Sequence, residues 1–271
     1  MKNRTKLPNI YLGFILLLMY IPIVLVIIYS FNESKITSVW NGFSLKWYQE
    51  LFADESYFEA LRNSVILATV SSVAAAIIGT LGAYGMTKVQ LKTKGAVEYL
   101  SMLPIMIPEI ILGMVFMVFF ALIGIPFGMV SLIIAHTAFS IPYVFMQVKA
   151  RLVGLDKSLE EAALDLGAGK ARVFFDIVLP LIMPAIASGM LLAFAMSLDD
   201  VIISVFVTGV NTNTLPIKIY SQLRTGVTPK VNALCSLMFV VTLLMCGLSA
   251  FFGRSPKEDK INKAIGKEMN P

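Results

Sequence analysis

The sequence has 271 residues, of which 57% are hydrophobic and 14% are charged, with a net charge of +5. A water-soluble domain carries about 25% charged residues, so this composition excludes an ordinary soluble enzyme domain. The apolar residues lie in blocks, several of them about as long as the ~20 residues that cross a bilayer as a helix. The basic residues flank these blocks, as in membrane proteins, which argues against nucleic-acid binding. We predict an all-α integral membrane protein in contact with the lipid bilayer.

Six apolar blocks, taken in chain order, predict six transmembrane helices: residues 10–29, 63–87, 98–123, 129–148, 178–207 and 231–252. The first block is too long for the apolar core of a signal peptide, and no small-residue cleavage site follows it, so we expect it to be retained. The fifth block is longer than a bilayer requires, which predicts a tilt, a kink or an early end. We expect one membrane domain over residues 1–271, with a cytoplasmic tail at 253–271.

The distribution of Lys and Arg predicts the orientation of these helices. With six spans and both termini in the cytoplasm, sixteen basic residues lie on the cytoplasmic side and six on the outer side. This asymmetry agrees with the positive-inside rule. The largest outer segment follows the first span and contains Trp47 and Tyr48. Their rings favour an interfacial anchor, and contact with a partner near the entrance is the alternative.

Three acidic residues, Glu109, Asp199 and Asp200, lie in the interior of the predicted spans. A carboxylate at the middle of a membrane costs about 2.5–3.5 kcal/mol on insertion scales, so such residues tend to face a cavity. Adjacent helical residues diverge by about 100°. We therefore expect Asp199 or Asp200 to line the pathway, and the other to be held by a neighbouring helix or to mark a helix break. A purely structural role remains the alternative for all three.

The remaining polar features of the spans give weaker signals. Glu109 follows Pro104 and Pro108, two prolines that predict a kink in the third span. The single histidine, His136, is more typical of an interhelical hydrogen bond than of a ligand or a proton relay. No His, Cys or carboxylate cluster has the spacing of a metal site, and we predict no catalytic residues.

The longest cytoplasmic segment, residues 158–180, contains EAALDLGAGKARVFFDIVLP. Ser158 and Glu161 fit a capping box at the start of a short helix, whose alanines and leucines share one face while Glu160 points away. Gly167 and Gly169 permit a sharp turn before a second helix. This jointed pair of helices has the shape of a unit that docks into a groove of another protein.

The same segment resembles the EAA signature of type I ABC importer permeases. The matching positions are Glu161, Ala162, Ala163, Gly167, Ile177, Leu179 and Pro180. The resemblance implies a MetI-like permease fold in a bacterial cytoplasmic membrane. It also implies a coupling helix through which a separate ATPase drives the transmembrane helices. The sequence contains no GxxxxGK[ST] phosphate loop, so ATP and Mg²⁺ are expected on that ATPase and no cofactor is expected on this chain.

Within this family the sequence is most similar to the spermidine/putrescine permeases, through stretches such as YIPIVLVIIYSFN, SLDDVIISVFVTG and LPIKIYS. The likeness implies a sister permease in a heterodimer, a cytoplasmic ATPase dimer and an extracellular polyamine-binding protein. It implies a substrate pathway that includes Asp199, Asp200 and Glu109, with Trp47 and Tyr48 as weaker candidates near the entrance.

Two alternatives to polyamine import stay open. The first keeps the ABC importer and changes the cargo to ferric iron, a sugar or another small solute. The second is an ion-coupled secondary carrier or channel that uses the same buried acids. It would leave the EAA segment without a role.

Overall fold

The computed structural model describes residues 6–35, 39–89, 94–156, 158–210, 212–226 and 228–252. These residues are helical almost throughout, which confirms the predicted all-α class. The α-helices in chain order are α1 (Lys6–Ser30), α2 (Lys46–Phe52), α3 (Glu55–Lys88), α4 (Lys94–Met106), α5 (Glu109–Ile123), α6 (Met129–Val153), α7 (Ser158–Asp165), α8 (Lys170–Val173), α9 (Leu179–Asp199), α10 (Ile202–Val207), α11 (Leu215–Thr225) and α12 (Pro229–Phe252). A π-helical turn, Phe174–Val178, joins α8 to α9. The predicted tail, 253–271, lies outside the described residues.

Four helical stretches in the described part of the chain are long and apolar enough to cross a membrane: Ile10–Ser30, Glu55–Lys88, Met129–Val153 and Lys170–Asp199. The pair α4 and α5 makes a fifth if it is counted as one span. The sixth predicted span, 231–252, falls in α12, a helix of 24 residues. The structure therefore supports four or five spans, and six stays a prediction.

The third predicted span is not one kinked helix, because α4 and α5 meet at an angle of 104°. Pro104 is accommodated inside α4, whereas Pro108 stands directly before α5. Proline disfavours helical geometry in the residue that precedes it, so α4 ends before Ile107. The first hydrogen bond of α5 then runs from the Leu112 N–H to the Pro108 carbonyl at 3.1 Å. The break places Glu109 in the first turn of α5, where the positive end of the helix dipole favours a carboxylate.

The chain divides into two compact units. The first comprises Met1–Asp54 and Gln222–Pro271; within it, α1 and α2 both contact α12. The second comprises Glu55–Ser221, and its core is built from α3, α6 and α9, which contact one another in all three pairs.

Small residues allow the helices of the second unit to approach closely. The buried positions along α3 are mostly Ala, Ser, Gly and Thr. A Cβ on Gly79 of α3 would lie 3.0 Å from the Val144 Cβ of α6, and one on Gly189 of α9 would lie 3.0 Å from the Val144 Cα. Close backbone approach through small side chains is how membrane helices gain packing energy, since lipid supplies no hydrophobic drive between them.

We expect Gly79→Ala to destabilise the protein by about 1–3 kcal/mol, because the new methyl group overpacks the contact with α6. Gly85→Ala on the same helix is the matched control, since its Cβ meets nothing within 4 Å and alanine favours a helix by up to ~1 kcal/mol. Thermal unfolding of the purified protein in detergent measures both variants. Equal stability of the two would contradict the close approach.

Candidate functional site

Three acidic residues lie around one cavity of about 490 Å³ in the second unit. They are Glu109 at the start of α5, Asp199 at the end of α9, and Asp200 in the break between α9 and α10. The rest of the lining is apolar: Phe139, Leu192, Ala195, Met196, Val201, Ile202 and Ile203. The structure thus brings together acids that are up to 91 residues apart in sequence, against an apolar wall; their role in transport stays a prediction.

The two adjacent aspartates have different environments. Asp199 is the last residue of α9 and is exposed at the cavity. The Asp200 side chain is only 6% exposed, because its carboxylate caps α10. Its Oδ1 accepts the Ile203 N–H at 3.2 Å, and its Oδ2 accepts the N–H and the hydroxyl of Ser204, both at 2.8 Å. A carboxylate that accepts the first free N–H groups of a helix stabilises that helix end.

The break that Asp200 caps is also the early end expected for the fifth apolar block, 178–207. The backbone leaves helical geometry at Asp200, with φ −68° and ψ 124°, and re-enters it at α10. The sequence suggested that one aspartate would mark such a break, but it did not say which one. The choice depends on Ser204 and on His136, whose Nε2 lies 3.4 Å from Asp200 Oδ2.

The aromatic candidates Trp47 and Tyr48 lie in the first unit, and neither lines the cavity. Trp47 is 4% exposed, and its indole N–H donates to the Asn32 carbonyl at 2.6 Å. The Tyr48 hydroxyl lies 2.7 Å from Ser30 Oγ, and its ring packs on that of Phe31. Both side chains therefore hold the segment between α1 and α2, and the burial of Trp47 leaves it little surface for a ligand.

The segment 158–180 folds into the predicted jointed unit, with α7, a turn and α8. The turn is a Schellman motif, in which the Ala168 N–H donates to the Ala163 carbonyl at 3.0 Å and the Gly167 N–H to the Leu164 carbonyl at 2.9 Å. Gly167 has φ +84°, a conformation that glycine adopts without the Cβ penalty. The joint is therefore specified by this glycine.

The start of α7 differs from the predicted capping box. Ser158 is the first helical residue, and Asp156 Oδ1 accepts the Ser158 N–H at 2.9 Å. This hydrogen bond and one from the Ser158 side chain hold the pKa of Asp156 below its usual value. The capping acceptor is therefore two residues earlier than the sequence pattern suggested.

The face of α7 that contacts the rest of the unit also differs from the prediction. Glu160, expected to point away, forms an ion pair with Lys88 at the end of α3. Ala163 packs on the core, while the leucines of this segment are exposed: Leu159 (47%), Leu164 (43%) and Leu166 (89%). The ion pair and the packing of Ala163 set which face of this short helix turns inward, and an apolar surface is left uncovered.

Comparison with known proteins decides the family. The family described as binding-protein-dependent transport system inner membrane component matches residues 75–255. The spermidine/putrescine transport system permease protein PotC of Haemophilus influenzae is 38% identical over 252 residues, 93% of this chain and 98% of its own length. The putrescine transport system permease protein PotI of Escherichia coli K12 is 42% identical over 244 residues, 88% of this chain and 86% of its own length.

The chain belongs to this family of transport permeases. The family predicted from the EAA signature is thereby confirmed, as is the similarity to polyamine permeases. A bacterial ABC transporter involved in the import of the acidic polysaccharide alginate has a similar fold, with a TM-score of 0.70 at 14% identity. The alignment covers 91% of this chain and 95% of that one. The permease is therefore a multi-pass membrane protein with a MetI-like fold.

The EAA positions of the permease lie along the jointed unit and the start of α9. Glu161, Ala162, Gly167 and Pro180 are exposed, and Ala163, Ile177 and Leu179 are half-buried. Phe174, in the π-helical turn, packs on Tyr84 of α3 with ring centroids 4.6 Å apart. Half of the signature therefore faces outward and half packs on the permease.

Gly167→Ala is expected to strain the joint, because alanine at this positive φ costs about 1–2 kcal/mol. Gly169→Ala is the matched control, since Gly169 has φ −70° and neither position has an atom within 4 Å of a new Cβ. The difference is measured as the rate of ATP-driven spermidine uptake by membranes that contain equal amounts of each variant. We expect Gly167→Ala to lose several-fold in rate and Gly169→Ala to match the parent; similar losses would refute this role of the joint.

Proposed function

We propose that the chain is a permease subunit of an ATP-driven importer of polyamines, spermidine and putrescine, in a bacterial cytoplasmic membrane. The observation that carries the proposal is the cavity in which Glu109, Asp199 and Asp200 meet an apolar wall. The printed functions of the relatives PotC and PotI name the same cargo class.

The chemistry of the cavity suits a polyamine. Spermidine and putrescine carry ammonium groups separated by methylene chains, so they need carboxylates at intervals and apolar surface between them. The cavity offers the exposed acids Glu109 and Asp199 together with an apolar wall. Carboxylates attract ammonium groups, and methylenes pack on apolar side chains. An anion would instead require Arg, Lys or free helix N-termini.

The energy for transport is proposed to come from a separate ATPase dimer, which binds ATP and Mg²⁺. Its contact on this chain is the jointed unit, whose exposed Glu161 and uncovered leucines form a surface of the kind that docks into a groove. Closure of the ATPase would move α7, and the Glu160–Lys88 pair would pass that movement to α3.

The assembly around the chain follows from the same proposal. A sister permease completes a heterodimer, and an extracellular polyamine-binding protein delivers the cargo. Six spans with both termini in the cytoplasm give the arrangement supported by the sixteen cytoplasmic and six external basic residues. Specificity then resides partly in the binding protein and partly in the acid-lined cavity.

Asp199→Asn and Asp200→Asn are expected to reduce spermidine uptake in different ways. Asp199 is exposed at the cavity, so loss of its charge should raise KM about tenfold, the equivalent of ~1.4 kcal/mol. Asp200 caps α10, so its loss should lower Vmax and the amount of folded permease as well. Initial uptake rates in cells that lack the native chain measure both. If cells that lack the chain take up spermidine and putrescine normally but fail to take up iron or a sugar, the proposed cargo is wrong.

Glu161→Lys is expected to weaken ATPase association or to uncouple hydrolysis from uptake, because it reverses a charge on the docking surface. Asp165→Lys is the control, since Asp165 is exposed on the same helix and lies outside the EAA positions. Co-purification of the ATPase and the ratio of ATP hydrolysed to spermidine moved measure the effect. Normal coupling in Glu161→Lys would remove the proposed docking role.

A further inference from the structure

His136 is the single histidine of the sequence, and the function proposed above gives it no task. It lies on α6, is 0% exposed and does not line the cavity. Both ring nitrogens have partners, with Nδ1 2.7 Å from Ser197 Oγ and Nε2 3.0 Å from Ser204 Oγ. A polar ring held so fully inside an apolar protein fixes the groups around it, because each broken bond would leave a buried polar atom unsatisfied.

These contacts belong to a chain of hydrogen bonds that links three helices. Ser197 of α9 contacts His136 of α6, and His136 contacts Ser204 of α10. Ser71 of α3 lies 3.1 Å from Ser197 Oγ, and its own hydroxyl donates to the Leu67 carbonyl at 2.7 Å. The Ser204 hydroxyl donates to Asp200 Oδ2 at 2.8 Å. The chain therefore ends on the carboxylate that caps the helix break.

Counting protons gives this chain a direction. An ionised carboxylate can only accept hydrogen bonds, so the Ser204 hydroxyl donates its single proton to Asp200. Ser204 Oγ must then accept from His136, which places the ring proton on Nε2. If the ring is neutral, Nδ1 is an acceptor and the Ser197 hydroxyl donates to it. With the neutral Nε2–H form of His136, each donor from Ser197 to Ser204 points toward Asp200, and each has an acceptor.

The same helix α6 also holds the other end of α10. The Ser131 hydroxyl donates to the Val207 carbonyl at 2.8 Å. On the α5 side, a Cβ on Gly113 would lie 2.5 Å from Phe206 Cδ2, so α10 packs tightly there as well. A helix of six residues is too short to persist alone, and its position depends on these attachments.

We propose that His136 is a positioning residue for the cargo site. It holds Ser204, and through it Asp200, in the geometry that caps α10 at the α9–α10 break and leaves Asp199 exposed at the cavity. His136 itself makes no contact with the cargo. The inference rests on the proposed function, because it assigns the cavity to polyamine.

The first test is the uptake of spermidine by the complete transporter, with KM and Vmax measured separately. His136→Leu removes both ring nitrogens, and we expect KM to rise about tenfold. His136→Gln keeps an amide that donates toward Ser204, and we expect it to recover most of that loss. Equal KM values for the two variants, or a fall in Vmax alone that follows the amount of permease in the membrane, would overturn the proposal.

A double-mutant cycle shows whether the histidine acts through Asp200. In an Asp200→Asn background we expect His136→Leu to have less than a threefold further effect on KM, because the carboxylate at the end of the hydrogen-bond chain is already lost. In an Asp199→Asn background its full effect should persist. If the effects on KM are additive in both backgrounds, His136 does not act through Asp200 and serves only in packing.

Two serines provide a matched pair for the same assay. Ser204→Ala removes the hydroxyl between His136 and Asp200, and we expect the KM increase of His136→Leu. Ser140→Ala removes an equally buried hydroxyl, 0% exposed, on α6; it has no hydrogen-bond partner in the described part of the chain, and we expect an unchanged KM. The same KM for both serine variants would contradict the hydrogen-bond chain. Because this comparison uses no histidine variant, it does not depend on how well His136→Leu folds.

A readout without cargo separates this inference from the proposed function. Asp199→Cys, with Cys235 and Cys246 replaced by serine, is labelled by a cationic methanethiosulfonate reagent. We expect His136→Leu to change the labelling rate at least threefold and His136→Gln to change it less. A changed labelling rate, when the parent protein with Asp199 intact takes up no polyamine, would refute the cargo and keep the positioning role. Unchanged labelling rates, when that parent takes up polyamine normally, would refute only the positioning role.

Discussion

The structure around the cavity depends on how one helix break is satisfied away from water. Where a helix is interrupted in an apolar environment, the freed N–H and C=O groups must find partners inside the protein. Asp200 supplies acceptors to the backbone of Ile203 and Ser204, so the chain can stop at α9 and restart at α10. This capping interaction fixes the start of α10, and the Ser131–Val207 hydrogen bond and the close packing of Phe206 on Gly113 hold the rest of the helix.

Helix α3 connects the two regions to which the proposed function assigns work. At its C-terminal end Lys88 pairs with Glu160 of α7, and Tyr84 packs on Phe174. Near its middle Ser71 contacts Ser197, the first member of the hydrogen-bond chain that leads to Asp200. Small residues along α3 keep it in close contact with α6 and α9 between these points. A rigid helix of 34 residues thus touches both the docking unit and the helix that bears the acids.

The fold and the cargo are separate questions in this family. The alginate importer shares the fold at 14% identity, and a polyanionic polysaccharide has the opposite charge to a polyamine. The fold alone therefore does not identify the cargo, and the proposed function assigns part of that choice to the side chains at the cavity. In this chain those side chains are two exposed acids, one capped acid and an apolar wall.

The sequence by itself determined the membrane class, the family and the acids that matter, because these follow from composition, block length and local spacing. The EAA positions and the Gly167 joint could also be predicted, because they are local in sequence: a turn with positive φ depends only on neighbouring residues. The tertiary structure alone decided the 104° break before α5, the burial of Trp47 and the inward turn of Glu160. It also decided that Asp200 and not Asp199 is held, since Ser204 lies across the break and His136 is 64 residues away in sequence. Each of these outcomes depends on a partner that no local pattern identifies.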